Sequence, residues 1–144
     1  FWTQLKKRGS NPEDYVKGNE NILYPKWEKG HYKGGIGEYD RLEQARKINR
    51  EAADASASWG MFQIMGFNYA ACGEESIESF VRSMCESEFK QLLLTANFIK
   101  KNSQMLQALQ ARDWAVFAKC YNGPAYAQNR YDVKLEAAYQ KYSL

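Results

Sequence analysis

The sequence has little with which to anchor a metal or a membrane. It holds one histidine, His31, so it has no His-Glu-x-x-His element and no second imidazole for a metal cluster. Its three cysteines, Cys72, Cys85 and Cys120, cannot all pair within one chain and none has Cys-x-x-Cys spacing. They read as reduced thiols packed like small apolar side chains, with no zinc site, no other metal or cofactor and no Cys–His nucleophile. No apolar run exceeds a few residues, which leaves nothing to cross a bilayer. An excess of one charge is also missing: 20 Lys and Arg stand against 17 Asp and Glu, a net charge of +3, too small to demand nucleic acid. No apolar stretch follows the basic cluster Lys6-Lys7-Arg8, so the beginning is not a signal peptide and synthesis in the cytoplasm is expected.

What is present is ordinary globular material, 44% apolar and 26% charged over 144 residues, the length of a single domain, and a monomer is expected. Six of the ten glycines and two of the three prolines precede residue 38. The first part is therefore expected to be irregular, with Ile22-Leu23-Tyr24 as its one short strand or extended piece, and the remainder helical. The spacing Tyr39, Leu42, Ala45, Ile48 starts an interrupted helix that continues from Glu51 to Ala57. Ser76 is placed to cap a helix over Ile77, Phe80, Val81 and Met84, and the phase break before Phe89 splits that helix from one reaching Ile99. This long apolar segment, Ile77 to Ile99, is expected at the centre of the fold. Ser103 and Asp113 are read as caps of two shorter helices, and Pro124 separates these from a last helix through Tyr131, Leu135, Ala138 and Tyr142. Phe1, Trp2 and Leu5 begin a helix too short to stand alone. Either packing holds it or its first turns have been removed, and removal is the preferred reading.

Two segments put an amide side chain among large aromatics and glycines: Ser56 to Asn68, around Trp59-Gly60-Met61-Phe62-Gln63, and Ala118 to Tyr126, around Tyr121-Asn122-Gly123. Such sets suit a sugar, whose ring faces stack on aromatics while its substituents take hydrogen bonds. The competing reading for Met61, Phe62, Ile64 and Met65 is core packing.

Gly60-Met61-Phe62-Gln63-Ile64-Met65 resembles the Gly-Leu-Met-Gln-Ile-Met element of soluble lytic transglycosylases and goose-type lysozymes, and Tyr121-Asn122-Gly123 resembles their Ala-Tyr-Asn-Ala-Gly element. More closely, Ser56 to Cys72, the helix around Ser87-Glu88, the turn Ala111 to Trp114 and Tyr121 to Tyr131 together resemble the N-acetylmuramidase domain of phage endolysins and bacterial peptidoglycan hydrolases. The resemblance implies a mainly helical, lysozyme-like fold with a small irregular or β-containing N-terminal lobe. It implies cleavage of the bond between N-acetylmuramic acid and N-acetylglucosamine at the bacterial cell wall, with peptidoglycan strands as partner. It also implies that Gln63 and Asn122 line the glycan cleft, with Tyr121, Trp59 and Tyr126 beside them.

The family's proton donor is a Glu followed by Ser or Thr and Gly, upstream of a Phe-Glu-x-His element, and neither motif occurs in these residues. The expectation is one muramidase domain over 1–144 lacking its acid-bearing N-terminal helix, or alternatively an inactive peptidoglycan-binding module. A third reading, a basic helical nucleic-acid binder, is disfavoured because its cations sit at helix ends. Among Glu38, Asp40, Glu43, Glu51 and Asp54, the fallback acid is Glu38, which follows the Gly34-Gly35-Ile36-Gly37 loop; its plainer role is a helix N-terminal carboxylate.

Overall fold

The computed structural model describes residues 1–143. It is mainly helical and divides into two compact units, the first Phe1–Thr95 and the second beginning at Ala96. Among the described residues seven α-helices succeed one another: α1 (Trp2–Lys7), α2 (Gly37–Ser56), α3 (Ile77–Glu86), α4 (Glu88–Lys101), α5 (Ser103–Ala111), α6 (Trp114–Asn122) and α7 (Tyr131–Tyr142). Among the described residues the only sheet is an antiparallel pair, β1 (Ser58–Trp59) and β2 (Ile64–Met65), with Ser58 opposite Met65 and Trp59 opposite Ile64.

In the first unit α1 is held by packing. Leu5 is fully buried and shares a cluster with Leu23, Ala45, Ala52 and Ala53, flanked by Phe1, Trp2 and Leu42. Burying one such leucine stabilises by roughly 1.5–3 kcal/mol, which offsets much of the roughly 4 kcal/mol cost of helix nucleation, and Phe1 and Trp2 packed beside it add to this. Ile22 and Leu23 are core residues of an irregular lobe rather than a strand. The β structure lies instead at the end of α2, in the segment read as a sugar-binding loop. Helix α2 is interrupted at Asn49 (φ −159°, ψ 108°). The Asn49 Oδ1 accepts the Ala52 N–H at 2.8 Å and so caps the helical continuation, which is how an Asn can break a helix and restart it.

Ser76 caps α3, its hydroxyl accepting the Ser79 N–H at 3.0 Å in a reciprocal box. Phe80 is fully buried, and Ile77 and Met84 nearly so, on the face that α3 turns toward α2 and the 3₁₀ segment Gly66–Cys72. Ser87 is extended and its hydroxyl accepts the Lys90 N–H, so the break before Phe89 falls between two helices. Helix α4 corrects the expected central role of Ile77 to Ile99. It buries Leu94 and Thr95 but leaves Phe89, Leu92 and Leu93 exposed.

The second unit is built on α5, α6 and α7, with Met105, Ala108 and Phe117 as its buried cluster. Asn102, not Ser103, caps α5, accepting the Met105 N–H at 3.0 Å. Asp113 caps α6 through the Val116 N–H, also at 3.0 Å. Gly123 closes α6, and Pro124 opens the 3₁₀ segment Pro124–Asn129 before α7.

None of the three cysteines is joined in a disulfide. Cys72 is buried, and that burial, with the Glu74 charge beside it, pushes its thiol up to about 12. It is an inert core side chain. Cys85 is exposed, which corrects its reading as a buried apolar residue.

Candidate active site

The first unit contains a cavity of about 750 Å³ whose wall includes Tyr24, Tyr32, Glu38, Arg41, Trp59 and Gln63. This lies within the range of small-molecule sites. Three of these residues, Glu38, Trp59 and Gln63, are candidates read from the sequence. The others come from the irregular lobe and the first turns of α2, and no local motif marks them.

The hairpin supplies one wall. The strands are joined by Gly60 to Gln63, with Gly60 at φ 70° and Gln63 at φ 54°, a left-handed conformation that a non-glycine residue adopts at a cost. Two hydrogen bonds hold Gln63 there: its Nε2 donates to the Gly60 carbonyl at 2.9 Å and its Oε1 accepts the Ser58 hydroxyl at 2.7 Å. From α4, the Gln91 Oε1 accepts the Met61 N–H at 2.8 Å while its Nε2 donates to the Met84 carbonyl at 2.8 Å. Gln91 therefore ties the hairpin tip to the end of α3, a role the sequence did not signal. The core-packing reading fits Ile64, which is buried, and fails for Met61, which is 56% exposed at the tip.

Trp59 lies in the cavity wall but is 93% covered, being only 7% exposed. Its indole N–H donates to the Asp54 carbonyl at 2.9 Å, and the Arg46 guanidinium lies 5.8 Å from its ring. It supports the wall more than it offers a free stacking face. Asp54 is itself buried and accepts from the Arg46 Nε at 2.7 Å, with Arg50 at 3.9 Å. It is a structural carboxylate. Asp40, Glu43 and Glu51 are spent on surface pairs with Lys33, Arg46 and Arg8.

Glu38 sits in the first turn of α2. Its Oε1 accepts the N–H groups of Lys33 at 2.6 Å and Gly34 at 2.8 Å, and its Oε2 takes Arg41 Nη1 at 2.5 Å. Partial burial alone would raise its pKa, but the hydrogen bonds from Gly34, Arg41 and Lys33 and the Arg41 charge outweigh this and hold it below the ordinary carboxylate value. At neutral pH it is an anion. A general acid in glycoside cleavage needs the opposite, a raised pKa.

Arg41 organises the rest of this wall. Its side chain is 10% exposed, Nη2 donates to the Asn21 carbonyl at 3.1 Å, and its guanidinium lies 4.6 Å from the Tyr32 ring centre. The Arg41 Nε is buried without a hydrogen-bond partner. Tyr24 stacks on His31 with centroids 4.5 Å apart, and burial together with the adjacent Tyr32 pushes its phenol up against the opposing Arg41 charge. Tyr24, Tyr32 and Arg41 thus form one connected cluster.

In the second unit, Tyr121 and Asn122 are the last residues of α6, and Tyr126 lies in the following 3₁₀ segment. The Tyr121 ring packs edge-on to Phe98 at 5.9 Å and stacks with Phe117 at 5.7 Å. Asn122 is exposed, while Tyr126 is half-buried.

The comparisons with known proteins agree with this architecture. The N-acetylmuramidase family model matches residues 1–143, and the chain belongs to that family. A solved structure, that of a Burkholderia AP3 phage endolysin, is similar at a TM-score of 0.86 and 40% identity, with 99% of this chain and 53% of that one covered. The chain therefore spans about half the length of that endolysin. No curated protein sequence matches. Among the described residues no helix is long and apolar enough to cross a membrane.

Proposed function

We propose that this chain is the glycan-holding part of a peptidoglycan muramidase domain that acts at the bacterial cell wall on the bond between N-acetylmuramic acid and N-acetylglucosamine. The observation that carries the reading is the cavity between the Trp59–Gln63 hairpin and the Tyr24–Tyr32–Arg41 cluster, in a chain whose family acts on muramyl glycans. Tyrosine hydroxyls, an arginine and a hairpin amide give the donors and acceptors a saccharide needs, and the aromatic rings give it apolar faces. Tyr121, Asn122 and Tyr126 are proposed as further sugar contacts from the second unit. The family model runs through both units, which supports treating them as one domain.

Chemically, the cavity is equipped to bind and orient but not to protonate. Among the described residues lining it, Glu38 is the one carboxylate, and it is held as an anion by three hydrogen bonds. Proton donation by a positioned acid contributes typically 10²–10⁴-fold, which groove contacts do not replace. The Glu38 environment thereby favours a second reading for these 144 residues, binding of peptidoglycan with little or no cleavage.

Sedimentation with purified, peptide-stripped glycan strands tests the proposal. Saturable binding that falls at least severalfold in Tyr32→Ala and Asn122→Ala, with both variants folded, is expected. Wild-type protein that stays in the supernatant at every glycan concentration contradicts it.

A further inference from the structure

Tyr32 reaches the main cavity from a loop that packing does little to hold. Residues 32–36 are all exposed, and Ile36, the one aliphatic side chain among them, is 87% so. A Cβ placed on Gly34 or Gly35 would meet no atom within 4 Å. These two glycines stand at φ 76° and 54°, which turns the chain back toward the start of α2 without strain. A segment with so few buried contacts opens locally more easily than the helix it leads into.

The strongest tie on the loop is one side chain. The Glu38 Oε1 accepts the N–H groups of Lys33 and Gly34, the next two amides after Tyr32. Its Oε2 takes Arg41 Nη1, and the same guanidinium lies against the Tyr32 ring. Tyr32 is therefore gripped twice from Glu38, through the main chain that follows it and through the cation that covers its face. Hydrogen bonds to an ionised acceptor are about twice as strong as neutral ones. Other ties are lighter: Lys33 Nζ meets Asp40 at 3.4 Å between two exposed side chains, and the Glu38 N–H donates to the Gly35 carbonyl at 3.2 Å. With three bonds already accepted, the carboxylate has little left to offer a ligand directly.

We infer that Glu38 is a positioning residue: its carboxylate latches loop 30–37 onto α2, holds Tyr32 in the cavity wall, and so sets the affinity for saccharide through Tyr32 rather than by contact. The inference rests on the glycan reading of the main cavity and adds to it the group on which that affinity depends. A loop released from Glu38 keeps Tyr32 in the wall for only part of the time, and the apparent affinity falls by that fraction. For bonds of this kind at a site partly open to solvent, the expected loss is about three- to tenfold.

The test is a double-mutant cycle of affinity for peptide-stripped glycan strands at pH 7, on wild type, Glu38→Ala, Tyr32→Ala and the variant carrying both changes, with Glu38→Gln beside them. Glu38→Ala should bind about three- to tenfold more weakly than wild type. Glu38→Gln should fall between the two, because its amide keeps a carbonyl oxygen for the Lys33 and Gly34 N–H groups while losing the charge that faces Arg41. In the Tyr32→Ala background the Glu38→Ala change should cost less than about twofold more, since the ring it positions is gone. Melting curves show that each variant is folded at the assay temperature. If Glu38→Ala does not fold, the same cycle is run with Glu38→Gln, and a loss of at least about twofold is expected. Equal affinity of wild type and the Glu38 variants overturns the inference while leaving the glycan reading standing, because binding itself is still seen. Losses that multiply in the double variant overturn it as well, since Glu38 then acts by a route other than Tyr32. Folded wild-type protein that binds no strand overturns the glycan reading and the inference with it.

Discussion

Replacing Gly66 by alanine, which puts a methyl group where the chain carries a hydrogen, should strongly destabilise the first unit. A Cβ at Gly66 would stand 2.0 Å from the Asp54 carbonyl oxygen, 2.9 Å from the Asp54 carbonyl carbon and 3.0 Å from the Ala55 Cα. All three are main-chain atoms at the end of α2, so no side-chain rotation relieves the clash, and the chain must part by more than an ångström. Overpacking of this sort costs roughly 1–3 kcal/mol. The same Asp54 carbonyl accepts the Trp59 indole N–H at 2.9 Å, so parting the chains also threatens that buried bond, at about 1–3 kcal/mol more. Together these predict a loss of about 2–6 kcal/mol, a large share of the roughly 5–15 kcal/mol that holds a domain folded. Urea unfolding followed by circular dichroism measures the loss, and near-ultraviolet circular dichroism reports the Trp59 environment. A Gly66→Ala protein within about 0.5 kcal/mol of wild type, with an unchanged tryptophan signal, would refute the close approach of Gly66, at the start of the 3₁₀ segment, to the end of α2.

Other expectations concern charge and capping. Glu38→Gln should destabilise by about 1 kcal/mol at pH 7, the smaller end of charged hydrogen bonding because the group is partly open to solvent. Its folded pKa is depressed, so the carboxylate contribution is fully present above the unfolded value of about 4.3 and is lost as pH falls through the folded one. Urea midpoints of wild type and Glu38→Gln should therefore converge between pH 5 and pH 2, and a gap that widens on acidification would contradict the sign. Asp113→Ala removes the cap at the Val116 N–H and should cost about 1 kcal/mol, read from the same unfolding curves. Near-equal midpoints for Asp113→Ala and wild type would mean that the cap is not formed in solution.

Local chemistry explains which elements could be read from the residues alone. Ser76, Asp113 and Pro124 act within three or four positions of themselves, and the helices they bound are where the spacing predicts. Ser103 was displaced by Asn102, an adjacent residue equally able to accept an N–H, so composition could not choose between them. The hairpin escaped because two-residue strands are too short to show an alternating pattern. For α4, periodicity located an apolar stripe at Phe89, Leu92 and Leu93, but a stripe states only which face is apolar. What packs against it is a tertiary matter, and here those residues are exposed. The candidate site divides in the same way. Gln63 and Trp59 belong to a contiguous motif, whereas Tyr24, Tyr32 and Arg41 meet through an irregular lobe that carries no period. Gln91 could not be found at all, since its two bonds to Met61 and Met84 depend on how α4 meets the hairpin.

The protonation state of Glu38 decides whether this cavity only holds a glycan or also cleaves it. The decisive measurement is the release of new reducing ends from purified sacculi by the 144-residue chain and its Glu38→Gln variant, at equal concentrations of folded protein. A glycan-holding chain whose cavity carboxylate stays ionised predicts binding to the sacculi with no release above background from either protein. Robust release by the wild type that Glu38→Gln abolishes would make Glu38 the proton donor and contradict the account.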